Sequence, residues 1–226
     1  MAHAFSFQPR LNPKLWLHGQ LKPLVRLKLF QSALAFYKFL DVDRLVVSDL
    51  ILTGSNAAFN YTALSDVDVH LIVNFAQTSC PDLAANVFTT KKALWGRTYS
   101  ISVFGCPVEL YVEDANEEVI ANGIFSILHN HWIAKPSPDR PEADDTAIAA
   151  KVATLEAEIE GLLVGGPDAK SIDQMIDRLR AMRQSGLLSG GEFSDNNLAF
   201  KALRDLGLID KLYAKRIESW DQTLSL

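Results

Sequence analysis

The stretch LILTGSNAAFNYTALSDVDVHLIV, residues 50–73, constrains this chain more than any other. It contains two apolar runs of strand length. One ends at Gly54 and Ser55, and the other carries Asp66 and Asp68 at its start. Side chains alternate between the two faces of a strand, so Asp66 and Asp68 point the same way and are placed to share a divalent metal. A lone carboxylate among Val67, Val69, Leu71 and Val73 would be costly to bury, so Asp68 implies a cation nearby. Gly54 and Ser55 close the preceding strand at an expected helix start, where unpaired N–H groups suit an anion. An anion cradle beside paired carboxylates points to phosphoryl or nucleotidyl transfer.

Two carboxylates rarely hold both ions of a two-metal site, so a third is expected from a neighbouring strand. Glu109, within PVELYVED at residues 107–114, is the candidate. Val108, Leu110 and Val112 make an apolar face, and Glu109 lies opposite it. Glu113 shares the Glu109 face nearer the strand end, and Asp114 faces the other way. By the same alternation His70 joins the face of Asp66 and Asp68. It is read as a core histidine with satisfied partners, or as a group contacting phosphate or supporting the carboxylates. Lys91 and Lys92 are candidates for neutralising a triphosphate, with Arg97 a further one; each also fits a solvated helix face. Trp95 reads as core, His129 and His131 as surface residues, and Cys80 and Cys106 as unreactive thiols.

The surrounding elements follow from periodicity and punctuation. Residues 21–40 read as a helix, with Pro23 in the first turn and Leu24, Leu27, Phe30, Leu34 and Tyr37 at helical spacing. Residues 45–53 and 67–73 read as buried strands, and residues 81–95 as a helix opened by Pro81. Residues 99–104 and 108–112 read as a hairpin around Gly105, and residues 116–132 as a third helix. The Pro-rich, charged segment at 135–145 reads as a linker. Beyond it lie apolar stripes at Ile148, Val152, Leu155, Ile159 and Leu162 and at Ile172, Met175, Ile176, Leu179 and Met182. A Gly-rich break at 189–191 and a last helix at 197–220 follow. The fold expected is α/β in content (α+β in arrangement), with a mixed sheet flanked by helices. The expected domains are residues 1–134, with an N-terminal helix, and a helical appendage at 146–226.

Composition narrows the function classes. With 226 residues, 48% of them hydrophobic, and a mean hydropathy near zero, the chain fits a globular protein. No apolar run is long enough to span a membrane, and two cysteines make neither a zinc pattern nor a disulfide framework. A cytoplasmic setting is expected. The net charge of −5 lacks the basic footprint of a dedicated nucleic-acid binder. Residues 171–226 carry eight basic and eight acidic side chains. Lys201, Arg204, Lys211, Lys215 and Arg216 therefore read first as a solvated face.

The set Gly54, Ser55, Asp66, Asp68 and Glu109 resembles the nucleotidyltransferase superfamily that includes DNA polymerase beta. That pattern is an apolar strand, Gly-Ser, about ten residues, Asp-x-Asp in an apolar strand, and a later strand carboxylate. KKALW at 91–95, PVELYVED at 107–114 and GEFSDNNLAFK at 191–201 are also similar to nucleotidyltransferase-like proteins predicted in bacteriophage genomes. The resemblance implies Mg²⁺ or Mn²⁺ held by Asp66, Asp68 and Glu109, and an NTP (ATP among the candidates) along Gly54 and Ser55. An acceptor hydroxyl would attack the α-phosphate with Glu109 assisting as base, and pyrophosphate would leave. The resemblance leaves the acceptor open among RNA, protein and small molecules. The alternatives are a nucleotide- or RNA-binding or antitoxin-like regulatory protein without turnover, and pyrophosphoryl transfer from ATP.

Overall fold

Strand Val67–Val73 buries every second side chain and pairs along both edges, which places it inside the sheet. The computed structural model describes residues 7–137 and 144–225, and these form two compact units. In the first, strands β1 (Trp16–Leu17) and β2 (Gln20–Leu21) make a small hairpin before helix α1 (Pro23–Leu40). Then come β3 (Val47–Thr53), β4 (Val67–Val73), helix α2 (Pro81–Thr98), β5 (Ser102–Val103) and β6 (Cys106–Asp114). The unit ends with β7 (Ile124–Ser126) and β8 (His131–Ala134). The six strands lie in the order β5-β6-β4-β3-β7-β8. The β4 and β6 strands are parallel and the other pairs antiparallel. This is the expected mixed sheet with helices.

One face of the sheet is core. Leu50 and Leu52 from β3, Val67, Val69, Leu71 and Val73 from β4, and Val108 and Leu110 from β6 are buried. They join Leu29 and Phe36 of α1 and Phe88 and Trp95 of α2 in one cluster. Trp95 is therefore core, edge-on to Phe36 and Phe39. Burial of this kind stabilises by roughly 1.5–3 kcal/mol per large side chain.

Three expectations are corrected here. Residues 116–132 are not a helix: they hold a coil, β7, and a turn into β8, with Asn130 at φ 59°. Ile51 and Leu52 of β3 pair with Ser126 and Phe125, and that edge captures a segment whose apolar spacing fits a helix equally well. Gly123 sits where a Cβ would lie 2.0 Å from the Ala57 carbonyl oxygen, so the chain passes close behind the Gly54 turn. In α1 the face chosen from spacing is the wrong one. Leu24, Leu27, Phe30 and Leu34 are 43–53% exposed, and the buried stripe is Val25, Leu29, Ala33, Phe36 and Leu40. A helix apolar on most sides offers two stripes, and periodicity cannot choose between them. Finally, residues 197–220 are not one helix.

The second unit is all helix: α3 (Asp145–Val164), α4 (Ala169–Gly190), α5 (Asp195–Asp205) and α6 (Leu208–Leu224). Side chains cap three N-termini: Asp144 accepts from Thr146 and Ala147 N–H, Asp168 from Ser171 N–H, and Ser194 from Asn197 N–H. Gly207, at φ 72°, breaks the last stretch into two. Leu155, Ile159, Ile172, Ile176, Leu179, Leu203 and Leu212 form its core, so both expected stripes face inward. The expected linker falls mostly on residues outside the described ones. Among the described residues, no helix is long and apolar enough to cross a membrane.

Candidate metal centre

The candidate site grows out of the β3–β4–β6 register. Thr53 pairs with Asp68 across β3 and β4, and Asp68 pairs with Glu109 across β4 and β6. The even positions of β4 and the odd positions of β6 therefore share the face opposite the core. Asp66 stands just before β4. Oxygens from Asp66, Asp68 and Glu109 all lie within 4.8 Å of one another. The structure thus brings together the three carboxylates that the sequence singled out. An all-oxygen, hard donor set of this size fits Mg²⁺ or Mn²⁺.

Gly54 is part of the same construction. Its φ of 73° and ψ of −166° belong to glycine. A Cβ there would lie 2.0 Å from Asp68 Oδ2. The glycine thus lets the backbone press against the carboxylate. The helix expected after it is only a single 3₁₀ turn, Ser55–Ala57. Ala57 and Ala58 N–H groups already donate to the Gly54 and Ser55 carbonyls. So short a turn has little dipole to offer an anion. Ser55 is buried, and its hydroxyl donates to Ser65 Oγ at 3.0 Å.

Asn56, which no sequence signal marked, ties this turn to the metal-side loop. Its side-chain amide donates to the Ser65 and Asp66 carbonyls at 3.1 and 2.6 Å. Its Oδ1 accepts from Asn12 at 2.7 Å, and its carbonyl accepts from Trp16 Nε1 at 2.7 Å. The N-terminal segment thereby buttresses the loop that positions Asp66.

The electrostatics follow from crowding. Burial first, then the charges of Asp66 and Glu109, push the Asp68 carboxyl up to about 6, with His70 and Lys92 opposing. Burial also works to raise Glu109. It is outweighed by the Tyr111 hydroxyl and the Lys92 ammonium, with a side-chain contact to Asp66 adding to them, and the group lies below its ordinary value. Tyr111 donates to Glu109 Oε2, and Lys92 Nζ is 3.1 Å from the same oxygen. The Tyr111 phenol is raised by burial and by the nearby negative charge of Asp68 and Glu109.

The remaining candidates separate. His70 stacks on Tyr111 with ring centroids 4.5 Å apart, and reaches Thr53 Oγ1 and Glu113 Oε1 at 3.1 Å each. It stands two residues along the strands from Asp68 and Glu109. Lys92 reaches the carboxylates, whereas Lys91 stands over the Phe39 ring, 5.6 Å from its centroid. Arg97, His129 and His131 are exposed. Asp114 caps the Phe75 and Asn116 N–H groups instead. Cys80 is exposed, Cys106 is buried, and both are free thiols. In the helical unit Arg216 pairs with Asp173, Lys215 with Glu218 and Arg178 with Glu158. Tyr111 was within reach of sequence reasoning, since it lies two residues after Glu109 on the same strand face.

No protein-family model matches the chain, and no curated protein matches it. Among solved structures, the STING-associated CdnE c-di-GMP synthase from Capnocytophaga granulosa is similar over 90% of this chain and 84% of its own. The sequence identity is 12% and the TM-score 0.24. A likeness that loose adds no weight to either fold or chemistry. The bacteriophage resemblance likewise rests only on the residues that suggested it.

Proposed function

We propose that this chain is a metal-dependent nucleotidyltransferase that moves a nucleoside monophosphate from an NTP to an acceptor hydroxyl. One observation carries the reading: Asp66, Asp68 and Glu109, from two adjacent strands, place their oxygens within 4.8 Å of one another, with Gly54 packed against Asp68. Three carboxylates at such separation repel strongly without a cation. They would hold Mg²⁺ or Mn²⁺, which when bound neutralises triphosphate charge and acidifies the acceptor hydroxyl.

The chain's own residues would position the reactants. The turn at Gly54 and Ser55 leaves backbone close to the carboxylates for the triphosphate to approach. The acceptor oxygen bonds to the α-phosphorus as the α–β bridging bond breaks, and pyrophosphate leaves with that electron pair. The base role expected of Glu109 fits its surroundings poorly. A carboxylate held low by Tyr111 and Lys92 takes up a proton weakly, so we read Glu109 as an oxygen ligand and give the acceptor's proton to water. Rate enhancement then comes from positioning and charge neutralisation. Residues 144–225 are read as a helical appendage to this unit.

The test is labelling of cell lysate, RNA and the protein itself with each α-³²P-NTP and Mg²⁺ or Mn²⁺, run beside γ-³²P-NTP. Transfer of the α label is expected. Asp66→Asn, Asp68→Asn and Glu109→Gln should each lower it by about two orders of magnitude or more, because contacts of this kind are worth a few kcal/mol each. Transfer of the γ label would move the reaction to pyrophosphoryl or phosphoryl transfer. Tight NTP binding with no labelled product would favour the binding protein without turnover.

A further inference from the structure

Lys92 holds an unusual position for a residue read as a triphosphate partner. Its ammonium is 3.1 Å from Glu109 Oε2 and 3.5 Å from the centroid of the Tyr111 ring. His70 stacks against that same ring at 4.5 Å, with the planes 9° apart. Too little room remains between the two stacked rings for an ammonium, so Lys92 lies on the other face of Tyr111. The lysine comes from α2, which packs on the core face of the sheet. Beyond Val108 no strand pairs with the outer edge of β6 among the described residues. The Lys92 side chain crosses that open edge to reach the carboxylate side.

We infer that Lys92 is a resident counter-cation of Glu109, displaced when a divalent ion binds and then available to the phosphates, so that metal and nucleotide binding are coupled. The inference rests on reading the three carboxylates as a metal site. Three features support it. The pair is exchangeable, because the Lys92 and Glu109 side chains are 34% and 42% exposed, and ion pairs so exposed are held weakly. The lysine has room to move, because it borders a cavity of about 300 Å³ with Tyr99, Pro107 and Glu109 in its walls. A divalent ion and an ammonium on one carboxylate also repel each other. Two positive charges against one, about 5 Å apart in water at physiological salt, oppose joint occupancy by on the order of five- to tenfold. Once displaced, the ammonium needs an anion, and bound triphosphate supplies one. Linkage requires the effect to run both ways.

The experiment measures Mn²⁺ binding by electron paramagnetic resonance on the full chain, with Mn²⁺ alone, for wild type, Lys92→Met, Lys92→Gln and Lys92→Arg. Circular dichroism of each variant checks that it is folded. The two neutral variants should bind Mn²⁺ about five- to tenfold more tightly than wild type, and Lys92→Arg should match wild type. With Mn²⁺ saturating, the neutral variants should bind α,β-methylene-ATP about tenfold more weakly. Unchanged or weaker Mn²⁺ binding in both neutral variants would overturn the inference and leave the metal site standing. Unchanged α,β-methylene-ATP affinity would overturn the coupling. If neither wild type nor the neutral variants bound Mn²⁺, the metal reading would fall and this inference with it.

Discussion

The two units handle charge in opposite ways. In the helical unit, acids and bases meet at the surface in pairs within one helix, as in Arg180 with Asp177 and Lys215 with Glu218. Each such pair is local, solvated and worth little. In the sheet unit, Asp66 just before β4 and Asp68 within it meet Glu109 from β6 beside a packed core. Like charges are brought together there, at a cost that an ordinary structural role does not require. Charge that is balanced on the spot reads as solubility, and three carboxylates met by Lys92 as the one close cation among the described residues read as a place for something else to bind.

This contrast can be broken most directly at Gly54. Gly54→Ala asks a left-handed backbone and a 2.0 Å approach to Asp68 to accept a methyl group. A cost of about 3 kcal/mol or more is expected, together with loss of Mn²⁺ affinity as Asp68 is pushed aside. Urea unfolding and Mn²⁺ titration of the variant check both. A variant as stable as wild type with unaltered Mn²⁺ binding would mean that the turn and the carboxylate are independent.

Next in size is the cost of the crowded charge itself. The Asp68 carboxyl titrates at about 6 in the fold against 3.8 ordinarily. The folded protein therefore holds that proton more tightly than the unfolded chain does. In metal-free buffer, stability should fall as pH rises from about 4 to above 6, by at most about 3 kcal/mol. Asp68→Asn should remove this slope and be the more stable protein at pH 7.5. Urea unfolding in EDTA at pH 4.5, 6 and 7.5 measures it. A wild type that gains stability across that interval would contradict the picture of an unbalanced cluster.

The smallest effect belongs to the helical unit. Asp177→Ala removes the partner of Arg180 and should change stability by about 0.5 kcal/mol or less, with no change in Mn²⁺ affinity. A loss of several kcal/mol on unfolding would show that the helical unit also relies on its charges.

Sequence reading reached the sheet centre because β4 alternates from Val67 to Leu71, and that alternation alone put Asp68 on the same face as His70. It reached the third carboxylate for the same reason: Glu109 stands opposite the apolar face of Val108, Leu110 and Val112 in β6. It failed where one pattern serves two structures. Ile124, Phe125, Ile127 and Leu128 satisfy a helix as well as a hairpin, and only the waiting edge of β3 decides. The two stripes of α1 are equally apolar, and the core it meets is not written within it. Asn56 was invisible because its worth lies in four hydrogen bonds to Asn12, Trp16, Ser65 and Asp66, none of them implied by neighbours in sequence. Gly207 divides the last helix because one residue adopts φ 72°, and a glycine within a helical pattern does not announce whether it will be tolerated or used as a stop.

The alignment of β4 with β6 runs over seven residue pairs, from Val67 and Val108 to Val73 and Asp114. Sliding β4 by one position would turn Asp68 and His70 into the hydrocarbon interior and four aliphatic side chains out of it. The carboxylate therefore acts before any ligand arrives, by making the mistaken alignment too expensive to persist. Replacing Asp68 with a neutral residue would remove a guard on how the strand finds its place, whatever it does to the proposed chemistry.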